Sequence, residues 1–325
     1  MKRSWLDDRG AFLSEDCPLP LGEAFTKAQA RELGVSRRSF DALLRAGLIR
    51  RVLHEVYAAS QAPDNMFMRA MALTLVVPEA AVVTDRTAAW LHGVDILPRS
   101  ALTTPPPLDI AHIEESRVRR PGVDGRRRGL ILTDITSVYG VRVTTGLRTA
   151  LDLGRLLWRF DALSALDGFL ALGVPHELMA AEIGRFKGYR GVRQLRALAP
   201  LGDGRSESAG ESALRLYWYD AGLPKPELQH WICSDDGAAI YRLDITDPEM
   251  RYAAEYDGEE FHTSEKHRRR DAARREWISE EQAWTIDAFT KTDVYSLSAD
   301  PIPQLQAGFA SARRKVSRWT PRRPT

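Results

Sequence analysis

The order of segments between residues 205 and 298 is the feature that most constrains the fold. The segments are, in order, a helix at 206–222, strands at 227–233, 238–246 and 251–256, a basic helix at 264–281 and a strand at 283–289. Turn residues separate the first three strands, which predicts an antiparallel meander. A sheet of this kind with helices packed on it is an α+β layer.

Four carboxylates fall at informative places in this region. Glu211 is on the first helix, Asp244 is near the end of the second strand, and Glu255 and Asp257 are two residues apart on the third. Alternate residues of a strand share a face, so a hairpin would bring Asp244 beside the other two strand carboxylates. Because oxygen-rich sites suit Mg²⁺ or Mn²⁺, we predict metal ligands at Asp244, Asp257 and Glu255.

A metal at this position would suit phosphodiester hydrolysis, since it neutralises the phosphate and acidifies a bound water. His262 follows Asp257 by five residues and could transfer the proton, while Glu211 could complete the metal shell or orient the water. Cations of the following helix would hold the substrate backbone. They include Lys266, Arg269, Arg270 and Arg274. A weaker alternative is a zinc site with His230, Cys233, His262 and His267 as ligands, although His230 and Cys233 lie on opposite faces of a strand.

The pattern resembles the DUF559 group, in the very short patch repair endonuclease-like branch of the PD-(D/E)XK nucleases. The matching pieces are Glu211-Ser212, Gly222-Leu223-Pro224, Leu243-Asp244, Glu255-Tyr256-Asp257-Gly258 and Phe261-His262. The resemblance implies a restriction-endonuclease-like fold and a Mg²⁺-dependent DNA endonuclease site at Asp244, Asp257 and His262. Asp257 stands where the superfamily has Lys, which leaves open whether Glu255 or Asp257 is the second ligand.

Near the N-terminus, two short helices and a hairpin are predicted. Thr26 and Ser36 can cap the helices, and an extended hairpin follows at 48–58. This layout is typical of a winged helix-turn-helix, whose second helix enters the major groove. The residues expected to contact DNA are Arg37, Arg38, Arg50 and Arg51. The alternative is a small helical adaptor that packs on the rest of the chain.

The middle of the chain alternates helical and extended signals, which predicts an α+β scaffold. Residues 131–135 and 141–143 have strand patterns, and a long helix begins near Leu147. An Arg-rich loop comes before them and would bind backbone phosphates. Its candidate contacts are Arg126, Arg127 and Arg128.

Residues 1–200 resemble the abortive-infection antitoxin-like proteins (AbiEi type). The matching pieces are Gly34-Val35-Ser36-Arg37-Arg38, Gly47-Leu48-Ile49, Ala88-Ala89-Trp90-Leu91-His92-Gly93 and Arg148-Thr149-Ala150-Leu151-Asp152-Leu153. The resemblance implies an N-terminal helix-turn-helix that binds DNA, often at the promoter of its own operon. Glu55 stands where that group usually has Gly in the wing.

We therefore predict an α+β protein in four parts. They are a winged helix-turn-helix at 1–62, an α+β domain at 63–200, an endonuclease-like domain at 205–298 and a basic tail at 299–325, of which 312–325 is expected to be disordered. The net charge is only +2, but the cations are gathered in patches that suit DNA. Two cysteines and the lack of a long apolar stretch predict a cytoplasmic protein without membrane contact.

The leading functional hypothesis is a metal-dependent DNA endonuclease or nickase in DNA repair or phage defence. The alternative is a DNA-binding regulator, resembling the antitoxin group, whose nuclease fold is catalytically silent. DNA is the predicted partner in both, with a partner protein or a second copy of the chain as a further one.

Overall fold

A computed structural model describes residues 3–7, 9–96, 107–112, 123–127, 129–233, 237–258, 278–279 and 282–318. The fold is α+β, as predicted, and the chain divides into two compact units, Met1–Leu153 and Gly154–Thr325. In the part of the chain described, no helix has the length and apolar character needed to cross a bilayer.

The N-terminal part of the first unit contains two short helices whose predicted caps are confirmed. Helix α1 is Lys27–Glu32 and helix α2 is Arg37–Arg45. The backbone N–H of Gln29 donates to the Thr26 hydroxyl at 3.2 Å, and Thr26 N–H donates back to the Gln29 side chain at 2.8 Å. Ser36 accepts from Ser39 N–H at 3.1 Å. These side chains satisfy helix N–H groups that have no partner within the helix.

A three-stranded antiparallel sheet accompanies these helices. Its strands are β1 (Phe25–Thr26), β2 (Ile49–Leu53) and β3 (Val56–Ala59), in the order β1-β3-β2. The rings of Phe40 on α2 and Tyr57 on β3 meet edge to face, with centroids 4.8 Å apart. Both side chains are buried, so the helix and the hairpin share one core.

A five-stranded mixed sheet forms the rest of the first unit. The elements are α3 (Met66–Thr74), β4 (Ala81–Val83), α4 (Asp85–His92), β5 (Leu108–His112), β6 (Val123–Arg127), β7 (Ile135–Val138), β8 (Val141–Thr144) and α5 (Gly146–Leu156). The strand order is β6-β5-β4-β8-β7. Apolar side chains of α3, α4 and the sheet form a continuous core.

The strand predicted at 131–135 is wrong over most of its length. Leu132–Asp134 is a 3-10 turn, and the strand begins only at Ile135. The Asp134 carboxylate accepts from Ile131 N–H at 3.0 Å, which closes the turn. The same carboxylate is buried against Arg148, a contact from a distant part of the chain that overrides the local β propensity.

The second unit begins with helices and ends with a helix-covered sheet. The elements are α6 (Arg159–Ala171), α7 (His176–Glu182), α8 (Val192–Leu198), α9 (Ala209–Asp220), β9 (Glu227–Cys233), β10 (Ala239–Asp247), β11 (Tyr252–Asp257), β12 (Thr285–Thr290), α10 (Lys291–Tyr295) and α11 (Ile302–Val316). The sheet order is β12-β11-β10-β9. The predicted antiparallel meander is confirmed, and β12 joins β11 in parallel.

Helices α9 and α11 pack on one face of this sheet. Trp218 of α9 stacks on Tyr252 of β11 with centroids 5.3 Å apart, and Phe309 of α11 contacts both rings edge-on. The prediction of disorder at 312–325 is therefore wrong for residues 312–316, which belong to α11. Leu305 and Ala312 of α11 are fully buried, so an apolar stripe holds the basic segment on the sheet. Residues 319–325 lie outside the described part of the chain.

Candidate nucleic-acid interface and acidic site

The N-terminus of α2 presents two exposed guanidinium groups. The side chain of Arg37 is 96% exposed, and its Nε lies 4.0 Å from Asp41, one turn further along the helix. Arg38 is exposed beside it. An ion pair this long and exposed contributes little, so both cations can meet an external anion.

The two arginines predicted in the wing differ in their surroundings. Arg50 is partly buried and donates to the carbonyl oxygen of Ala62 at 3.2 Å. Arg51 is exposed, and its guanidinium lies over the Tyr57 ring at 5.6 Å and donates to the Tyr57 hydroxyl at 3.3 Å. Of these two cations, Arg51 is the better placed to bind a phosphate.

The turn between β2 and β3 contains only His54 and Glu55, since Leu53 pairs with Val56. Glu55 has a φ of 63°, in the left-handed region that favours glycine. The residue that departs from the antitoxin-like pattern thus adopts the backbone conformation that a glycine would adopt there. The expected turn forms, at some conformational cost.

The Arg-rich segment is not wholly a loop, which corrects the prediction. Arg126 and Arg127 belong to β6, which pairs in parallel with β5 at the edge of the five-stranded sheet. Strand pairing with β5 is a long-range contact that the Arg and Gly content of the segment does not reveal. Several predicted site residues lie outside the described part of the chain. They are Arg128, His262, Lys266, His267, Arg269, Arg270 and Arg274.

In the second unit, Gly210 allows the first turn of α9 to lie close to β11. A Cβ at Gly210 would fall 2.0 Å from the ring of Tyr256, so only glycine fits without a shift. On the neighbouring strand, the Asp244 carboxylate accepts from the backbone N–H of Tyr256 at 3.0 Å. The close approach brings Glu211, the next residue of α9, toward Asp244.

Glu211 and Asp244 are electrostatically coupled. Burial raises the pKa of Glu211, and the charge of Asp244 raises it further, although the N–H of Glu207 donates to its Oε2 at 2.9 Å. Burial also raises the pKa of Asp244, against the hydrogen bond from Tyr256 N–H. Buried neighbouring carboxyls with raised pKa values are typical of functional sites.

Gln229 completes this cluster and is not among the site residues predicted from the sequence. It lies within β9 with a φ of 57°, and its Nε2 donates to Glu211 Oε2 at 2.9 Å. Its Oε1 is buried and has no hydrogen-bond partner among the described residues. A strained backbone and an unsatisfied amide both lower the stability of the fold. Such features persist mainly where function requires them, which is why they concentrate at functional sites. No local sequence signal indicates such a backbone conformation at a glutamine.

Glu255 and Asp257 flank Tyr256, whose ring packs on α9. The register of β10 and β11, which pairs Ile245 with Ala254, places Glu255 opposite Asp244. Glu255 is buried and Asp257 is exposed. Within the described ranges, no group of three or more His, Cys, Asp or Glu side chains is positioned to hold a metal ion. The site at Asp244, Glu255, Asp257 and His262 stays a prediction.

Comparison with known proteins first identifies one domain of the chain. Residues 80–202 match the family model described as the AbiEi antitoxin C-terminal domain, which confirms the antitoxin-like part of the predicted resemblance. Residues 205–298 lie beyond that match, and their likeness to the DUF559 nucleases stays a prediction.

The relatives then define the family. The "Uncharacterized protein MT2308" of Mycobacterium tuberculosis (strain CDC 1551 / Oshkosh) is 34% identical over 263 residues, which is 80% of this chain and 92% of the relative. The "Uncharacterized protein Rv2248" of Mycobacterium tuberculosis (strain ATCC 25618 / H37Rv) matches with the same identity and coverage. The chain belongs to the family of these two mycobacterial proteins.

Proposed function

We propose that this protein is a DNA-binding regulator of the antitoxin type, with residues 1–62 as a winged helix-turn-helix. The match of residues 80–202 to an antitoxin domain is the observation that favours this function. An antitoxin acts against a toxin, so the proposal includes a protein partner in addition to DNA.

The chemistry of the first unit supports the proposal. In a winged helix, residues at the start of the second helix reach base edges and phosphates, and here that position has the exposed cations Arg37 and Arg38. Arginine suits this role because its planar guanidinium binds phosphate or the major-groove edge of guanine in a bidentate manner. Arg51 would add a phosphate contact from the hairpin.

Binding of the full-length protein to duplex DNA tests the proposal. Fluorescence anisotropy compares a duplex from the region upstream of its own gene with a scrambled duplex, at several salt concentrations. We expect Arg37→Ala/Arg38→Ala to weaken binding at least tenfold, since each good base contact contributes about 1–3 kcal/mol. Arg45→Ala, at the opposite end of α2, should change affinity much less. Failure of the wild-type protein to prefer its upstream duplex, or equal affinity in the double variant, would contradict the proposal.

The second candidate function is metal-dependent cleavage of DNA by a PD-(D/E)XK-type domain. The coupled pair Glu211 and Asp244, next to the strained Gln229, favours it. Carboxylate and amide oxygens suit a hard cation, and Asp244 with Glu211 would hold Mg²⁺ or Mn²⁺. The ion would supply charge neutralisation of the phosphate and a more acidic water. The chain's own part is to hold both carboxylates partly buried beside the sheet.

Cleavage assays separate the two candidates. Supercoiled, linear, mismatched and single-stranded DNA are incubated with the protein and Mg²⁺ or Mn²⁺. The nuclease function requires that Asp244→Asn lose activity and that Glu227→Gln, which removes an exposed carboxylate from β9, retain it. Equal activity in Asp244→Asn would exclude this site. Absence of cleavage with either metal, together with specific DNA binding, would favour the regulator.

A further inference from the structure

The first unit contains a cavity of about 630 Å³, and most of its lining residues have no part in either candidate function. It is bounded by α1, α2, the turn between β2 and β3, and Leu75 and Val76 after α3. Pockets that hold small molecules measure about 300–1,000 Å³. The cavity is therefore large enough for a small organic ligand.

The inner wall of the cavity is apolar. Val35 and Phe40 are buried, and Leu75 and Val76 are partly buried against the core of the unit. These side chains can cover the hydrocarbon or aromatic part of a ligand, which gains free energy as its apolar surface leaves water.

The rim of the cavity is cationic. Lys27, Arg31 and Arg37 line it, against the two carboxylates Asp41 and Glu55. Neither Lys27 nor Arg31 forms an ion pair with any described residue, whereas Asp41 lies 4.0 Å from Arg37. The Lys27 ammonium lies 5.3 Å from the Phe40 ring centroid, so positive charge adjoins the apolar wall directly.

We propose that this cavity binds a small organic anion with an aromatic or alkyl body. The carboxylate, phosphate or sulfonate of the ligand would bind Lys27 and Arg31, and its body would pack on Phe40 and the two residues after α3. Arg37 both lines the cavity and begins α2, so an occupied cavity would weaken DNA binding. The effect on DNA binding rests on the proposed DNA-binding function, whereas ligand binding itself does not.

Titration of the full-length protein with 1-anilinonaphthalene-8-sulfonate tests the site, because this probe combines an aromatic body with an anion. N-phenyl-1-naphthylamine has the same rings without the sulfonate. We expect Lys27→Met/Arg31→Met to lower the affinity for the sulfonate probe at least tenfold. The affinity for the neutral probe should stay within twofold of the wild-type value. Arg45→Met, on α2 but outside the cavity lining, should bind both probes as wild type does. Equal sulfonate affinity in the double variant would overturn the proposal.

Two further variants locate the bound probe. Ala28→Trp places a large ring in the cavity without changing its charge and should abolish probe binding, with the melting temperature as the check on folding. Phe67→Ser removes an exposed apolar side chain outside the cavity lining and should have no effect. Probe binding that survives Ala28→Trp, or that is lost in Phe67→Ser, would assign the signal to another surface and overturn the proposal.

Competition with DNA tests the coupling separately. We expect saturating sulfonate probe to weaken duplex binding at least fivefold in the wild-type protein and not in Ala28→Trp. Unchanged duplex affinity would overturn the coupling. If the wild-type protein binds no duplex, the proposed DNA-binding function fails, and the probe titrations still decide whether the cavity is a ligand site.

Discussion

Replacement of Arg148 by Met should destabilise the first unit severely. The Arg148 side chain is 3% exposed; its Nη1 contacts Asp134 Oδ2 at 2.6 Å, and its Nε contacts Asp152 Oδ2 at 2.9 Å. Nη1 also donates to the carbonyl oxygen of Gly129 at 3.0 Å. Methionine retains much of the apolar stem but leaves two carboxylates, both at most 3% exposed, without their shared cation.

The magnitude follows from this geometry. Breaking a buried ion pair from one side costs about 3–5 kcal/mol, because the remaining charge is uncompensated. Whole domains are stable by about 5–15 kcal/mol, so Arg148→Met should leave the unit marginally folded. Arg148→Lys keeps the charge but not the planar fork that meets both carboxylates, and its effect should be intermediate.

Urea unfolding followed by circular dichroism, with hydrogen exchange of residues 129–153 as the local measure, tests this prediction. The matched control is Arg159→Met, which breaks the more exposed ion pair with Asp220 and should cost less than about 1 kcal/mol. Adding Asp134→Asn and Asp152→Asn to Arg148→Met should recover at least half of the lost stability, since both carboxylate charges that Arg148 compensates are then removed. A loss below about 1 kcal/mol in Arg148→Met, or no recovery in the triple variant, would refute the reasoning.

Three further predictions concern strained or buried positions. The pKa of Asp244 is raised in the folded state, so its stabilising contribution is fully present below its unfolded pKa and is lost as pH rises through its folded pKa. Asp244→Asn should therefore become more stable than wild type above about pH 4. A difference in urea midpoint between variant and wild type that is the same at pH 4 and pH 7.5 would contradict this. Gly210→Ala should lower the free energy of unfolding by about 1–3 kcal/mol, because the new methyl group overpacks the Tyr256 ring. Ala209→Ser is the control, and an unchanged melting temperature in Gly210→Ala would refute the prediction. Glu55→Gly should stabilise by up to about 1 kcal/mol, since relief of the left-handed strain exceeds the added unfolded-state entropy; a urea midpoint below that of wild type would count against it.

The sequence by itself determined the elements whose signals are local. Thr26 and Ser36 cap their helices as predicted because the capping hydrogen bonds span only three residues. The three strands of the C-terminal meander also lie within about one residue of their predicted positions, since turn residues mark their ends. The exposed arginines at the start of α2 follow from the same local pattern.

The tertiary structure decided what depends on contacts between distant residues. Burial beside Arg148 makes a turn at Asp134, pairing with β5 places Arg126 and Arg127 on a sheet edge, and an apolar stripe docks the basic helix α11. The acidic site also depends on contacts between distant residues. Glu211 was predicted from its position on a helix, but its coupling to Asp244 and the left-handed Gln229 arise only where α9 meets β9 and β10. Such features have no local signature, because long-range packing stabilises conformations that the isolated segments would not favour.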